Sequence, residues 1–134
     1  MNLEEITQQI VSENGKDRKT GFYNLDLLPK EKQKQVIESA LRTHISDDRL
    51  LEYNNSSIAT TELLEKVSEL GYAHNFTGEI TELFDLCKGT PTSKARKVYN
   101  ACVSCNKDLA SLKESDYVRI KPKREKTTFW KPKN

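Results

Sequence analysis

The chain has 134 residues, 35% hydrophobic and 31% charged, with a net charge of +2. That length supports one small core, and the Leu, Ile, Val and aromatic content is too high for the disordered class. No apolar run is long enough for a membrane span, and MNLEEITQQIVSEN carries acids where a secretory signal carries cations, so the expectation is a cytoplasmic, intracellular protein with no membrane partner and reduced thiols.

The near-neutral total conceals a split. Residues 117 to 134 hold seven Lys or Arg and one acid, giving +6, which leaves −4 for residues 1 to 116. The expected organisation is a helical domain over 1–116 and a basic arm over 117–134.

In chain order, Leu3, Ile6, Ile10 and Val11 mark one face of a first helix. Asn14 and Gly15 are expected to stop it through the left-handed conformation both tolerate. GKDRKTG then reads as a polar loop, since it lacks the GxxxxGK[ST] spacing and the preceding strand of a phosphate-cradling loop. FYNLDLLP supplies Phe22, Tyr23, Leu25, Leu27 and Leu28 for packing on the core. Pro29 then opens the next helix, with Val36, Ile37, Ala40, Leu41, His44 and Ile45 as its buried stripe. SDDRLLEYNNSS reads as a short helix capped by Ser46 and ending in turn-rich polar residues. TTELLEKVSELGY is amphipathic, with Leu63, Leu64, Val67 and Leu70 inward and Gly71 as stop. TGEITELFDLCKG repeats the plan with Ile80, Leu83, Phe84 and Cys87, ending at Gly89. The last helix is expected from Thr90 as cap and Pro91 as first residue, with Ala95, Val98, Tyr99, Cys102, Cys105, Leu109 and Leu112 on one stripe. Five to six such helices with short connections define an all-α fold, a small compact helical bundle. Its C-terminal arm is basic and aromatic, and the runs YVRIK and TTFWK allow a short β-ribbon there.

The cysteines raise the question of a metal. Cys102 and Cys105 have the CxxC spacing, and with His74 and Cys87 a four-ligand zinc site can be written. All three cysteines fall on apolar helical stripes, however, where a thiol packs as a small hydrophobe. The expectation is therefore no metal and no cofactor. Nor do the histidines support catalysis: His44 sits at the core edge beside Leu41 and Ile45, and His74 falls between helices. No Gly-x-Ser-x-Gly, His-Glu-x-x-His or glycine-rich nucleotide loop is present. An enzyme is not expected.

Two helices around Gly71 have the outline of a helix-turn-helix, but the second presents Glu79, Glu82 and Asp85, which phosphates would repel. Cations gather elsewhere. Lys94, Arg96 and Lys97 lie in the first turns of the last helix, where the helix dipole already favours an anion. The arm offers Arg119, Lys121, Lys123, Arg124, Lys126, Lys131 and Lys133, interleaved with Tyr117, Phe129 and Trp130. Cations for phosphates and rings for bases suit nucleic acid. The sequence thus favours an accessory or regulatory binding protein whose arm contacts nucleic acid or a nucleoprotein complex. The other reading is a helical adaptor or inhibitor acting by protein contact, its arm in an acidic groove with Trp130 as anchor.

Overall fold

A computed structural model describes residues 2–47, 54–88 and 92–106, together with the backbone of 117–120 and 129–132. Among these residues six α-helices form one compact bundle: α1 (Leu3–Val11), α2 (Gly15–Asp26), α3 (Lys30–Ser46), α4 (Asn54–Glu69), α5 (Thr77–Cys87) and α6 (Ser93–Asn106), with a 3₁₀ turn at Ala73–Asn75 before α5. The arm backbone at β1 (Tyr117–Ile120) pairs antiparallel with β2 (Phe129–Pro132). No described helix is long and apolar enough to cross a membrane.

The amphipathic stripes set the packing. Ile6 and Ile10 of α1, Val36, Ile37, Ala40 and Leu41 of α3, Leu63, Leu64 and Val67 of α4, Ile80, Leu83 and Phe84 of α5, and Val98 and Cys102 of α6 are all buried in one core. Helix α1 lies against α2 and α3, and α6 against α4 and α5. Where α5 meets α6, the Phe84 and Tyr99 rings stack with centroids 5.0 Å apart. The end of α4 is as the sequence implies: Gly71 has φ 75°, and the Tyr72 and Gly71 N–H groups return to the carbonyls of Val67 and Ser68.

Four readings of the sequence need correction. GKDRKTG is not a loop but the start of α2. Asn14, expected to end α1, instead caps α2: its Oδ1 accepts the N–H groups of Lys16 (2.8 Å) and Asp17 (3.3 Å), and its φ of −85° is ordinary extended backbone. Helix α1 ends at Val11, with Ser12 after it also extended. Arg18 then fixes α2 to the bundle. Its guanidinium donates to both carboxylate oxygens of Glu62 on α4 (3.0 and 3.1 Å) and to the Ser12 carbonyl (3.1 Å). Gly21 lets α2 approach α1 closely, because a Cβ there would fall 2.8 Å from Gln9 Cβ and 2.9 Å from Ile10 N.

The second correction follows from the first. With α2 in this helical phase, Leu25 is buried and Phe22 and Leu28 pack at the core margin, but Tyr23 and Leu27 are 66% and 59% exposed rather than packed on the core.

Third, Ser46 closes α3 instead of capping a new helix, and the residues NNSS open α4. Ser56, Ser57 and Thr60 are buried in α4, and the Thr60 hydroxyl donates to the Ser56 carbonyl at 2.9 Å, which satisfies it within the helix. The centre of the short helix expected between α3 and α4 lies outside the described residues.

Fourth, the cap of α6 is Thr92, whose Oγ1 accepts the Ala95 N–H at 3.1 Å. Gly89, Thr90, Pro91, Leu109 and Leu112 lie outside the described residues.

Candidate nucleic-acid interface

The three cations at the start of α6 differ in exposure. Lys94 is half-buried, whereas Arg96 and Lys97 are exposed. The Arg96 guanidinium stands 5.4 Å from the centroid of the Tyr99 ring, a cation–π arrangement directed at the Phe84–Tyr99 stack. Lys97, one position on, lines an open groove of about 440 Å³ between α4 and α6, with Thr61, Glu65, Ser68 and Asn100 among its neighbours. At this helix end the Ala95 N–H is already taken by the Thr92 hydroxyl oxygen.

In the arm, Arg119 falls on β1 and Phe129, Trp130 and Lys131 on β2. In the register Arg119 is opposite Trp130, and Ile120 opposite Phe129. Lys121, Lys123, Arg124, Lys126 and Lys133, and all side chains of the arm, lie outside the described residues.

The acidic face of α5 is partly engaged. Arg42 of α3 reaches Glu82 at 2.7 Å and Glu79 at 3.7 Å. Two carboxylates that a helix-turn-helix would turn toward DNA are thus tied to α3.

Cys87 of α5 and Cys102 and Cys105 of α6 are buried and form no disulfide. Burial pushes the Cys87 thiol up to about 11 and Cys102 well above its usual value, the neighbouring Cys87 and Cys105 thiols adding to the second effect. The Cys87 and Cys102 sulfurs stay protonated at neutral pH and pack as apolar groups. His74 is exposed on the 3₁₀ turn, and among the described residues no group of three or more His, Cys, Asp or Glu side chains could hold a metal ion.

His44 is deeper than a core-edge residue, only 2% exposed, and its Nε2 has no hydrogen-bond partner. Desolvation lowers its pKa to about 4; Asp47 opposes that shift and Arg18 adds to it. A cleft of about 480 Å³ lies beside it, lined by Gln8, Ser12, Glu13, Thr43 and Asp47. At neutral pH this imidazole is uncharged, inside the protein, and serves as part of the core.

Three features had no counterpart in the sequence reading. They are the Arg18–Glu62 bridge, the exposed Tyr23–Leu27 pair, and a buried polar tie in which Tyr72 Oη donates to Gln33 Oε1 (2.6 Å) while Gln33 Nε2 donates to the Leu25 carbonyl (3.0 Å). Asn14 standing three residues before an acid, Asp17, is the one local signal that marks α2. Comparison of the chain with protein-family models, with curated proteins and with solved structures finds no match.

Proposed function

We propose that this chain is a non-enzymatic accessory or regulatory binding protein, in which the helical bundle is a scaffold and the basic C-terminal arm contacts nucleic acid or a nucleoprotein complex. The observation that carries the reading is the segregation of charge: +6 in residues 117–134, with three aromatic residues among the cations, against −4 in residues 1–116. Such an arm draws the protein to a polyanion and releases counterions on contact, while its rings stack on bases. The chemistry of the bundle supports a binding role over catalysis. Its buried histidine is neutral at physiological pH, and burial holds the Cys87 and Cys102 thiols protonated.

The test is equilibrium binding of the full chain to random-sequence single- and double-stranded oligonucleotides, beside a variant with Lys121, Lys123, Arg124 and Lys126 replaced by Gln. Neutralising four cations reduces the steepness of log affinity against log salt by about 3, at ~0.7 to 0.9 ions per contact. Trp130→Ala weakens single-strand binding by about 1 to 3 kcal/mol with little change in that slope. Negligible binding by the full chain at physiological salt, with a protein partner lost on Trp130→Ala, would replace this reading with the adaptor one.

A further inference from the structure

Helix α2 carries a surface that packing within the bundle does not explain. Lys16, Lys19, Thr20, Tyr23 and Leu27 recur at three- and four-residue spacing, so they share one face, and all five are exposed. Tyr23 and Leu27 are the two most exposed large hydrophobic residues among those described, one helical turn apart. The stripe runs roughly 16 Å from Lys16 to Leu27 at 1.5 Å per residue, and Lys30 follows just beyond it.

The charge on this face is not neutralised locally. Among the described residues no acid pairs with Lys16, Lys19 or Lys30. Of the carboxylates flanking the stripe, Asp26 pairs with Lys66 at 2.8 Å and Glu31 lies 3.9 Å from Lys34, while Asp17 accepts the Ser12 hydroxyl at 3.1 Å and keeps its charge, against the three lysines Lys16, Lys19 and Lys30. On a body of net −4 this is a local positive strip with a ring in its middle. The helix beneath is held against the bundle by Arg18 and by the close approach at Gly21, so the backbone that carries the strip is fixed in place.

We propose that the outer stripe of α2 is the bundle's own contact surface for single-stranded nucleic acid, with Lys16 and Lys19 on phosphates and the Tyr23 ring stacked on a base, Leu27 supporting that base or its sugar. The ligand class rests on the nucleic-acid reading of the arm. The exposed large apolar residues of this stripe are two side chains, Tyr23 and Leu27, whereas the core of a stable protein interface is a larger apolar patch. One strand, by contrast, needs only cations for its backbone and a π-face for a base. The chain's own arm does not fit this surface, because both are positive.

The experiment is fluorescence anisotropy of a labelled oligothymidylate with the full-length chain across a salt series. Tyr23→Ala weakens binding about tenfold or more with the salt slope unchanged, and Tyr23→Phe restores most of the affinity. Lys16→Gln with Lys19→Gln reduces the steepness of the slope by about 1.5. If the α2 variants bind as the unsubstituted chain does while arm variants lose affinity, the α2 proposal is overturned and the arm reading stands. If the α2 variants lose affinity and arm variants do not, the stripe is supported and the arm reading fails. Absence of binding by the full chain overturns both.

Discussion

Helices α2 and α5 are close in length, each carries charge on its outside, and they use it differently. Helix α5 buries Ile80, Leu83, Phe84 and Cys87, and two of its carboxylates are bound by Arg42. Helix α2 buries only Arg18, Gly21 and Leu25, leaving a tyrosine, a leucine and unpaired lysines outside. The fold accounts for nearly every large residue of α5. On α2 it accounts for the inner face alone, and the excess is where function is to be sought: an exposed tyrosine and leucine one turn apart add apolar surface without adding stability.

The largest expected effect is on the α5 side. Phe84→Ala removes a fully buried ring stacked on Tyr99 and is expected to destabilise the protein by about 3 to 5 kcal/mol in urea denaturation. A loss below 1 kcal/mol would mean that the α5–α6 contact is not a core contact.

Next comes pH. The unfolded chain protonates His44 near 6.5, whereas the folded protein keeps it neutral down to about 4. Within that window the unfolded state binds the extra proton, so stability falls as pH drops from 6.5 to 4, by roughly 3 kcal/mol in all. Comparing His44→Gln with the unsubstituted protein at pH 7 and pH 4.5 isolates this contribution from that of the carboxylates. The stability difference between the two proteins must shift in favour of the variant at the lower pH; a parallel dependence would place His44 in contact with solvent.

On the inner face of α2, Gly21→Ala drives a Cβ against Gln9 and Ile10 and is expected to cost about 1 to 3 kcal/mol, although alanine has the higher helix propensity. A stabilised variant would show that α1 and α2 are not in close contact. The smallest effect belongs to the outer face: Tyr23→Ala changes stability by no more than about 0.5 kcal/mol, so any loss of binding in that variant is not a loss of fold.

The contrast also marks what the sequence could tell. The stripes of α3, α4, α5 and α6 were legible because apolar residues recur there at helical spacing over three or more turns, and Gly71 punctuates them. Helix α2 was not legible. Its first half, GKDRKT, holds no apolar residue, and its stability comes from one capping asparagine and from an arginine whose partner, Glu62, is 44 residues away. Tertiary ties of this kind override local propensity and leave no periodic trace. The polar start of α4 was missed for a related reason: Ser56, Ser57 and Thr60 look like surface residues until neighbouring helices cover them. For the candidate site, the sequence located the cations of the arm and of α6. It placed Tyr23 and Leu27 in the core because a dense apolar run does not reveal its phase when the helix containing it goes unrecognised.

The most direct test of the central claim, a helical scaffold that engages nucleic acid through its basic surfaces, is the salt dependence of binding between the unsubstituted full-length chain and a random-sequence oligonucleotide. Seven arm cations on phosphates give a slope of log affinity against log salt of about −5 to −6, and engagement of about half of them still gives about −3. A straight line at or steeper than about −3 is the predicted result. An affinity that is undetectable at low salt, or that does not change with salt, would contradict the account.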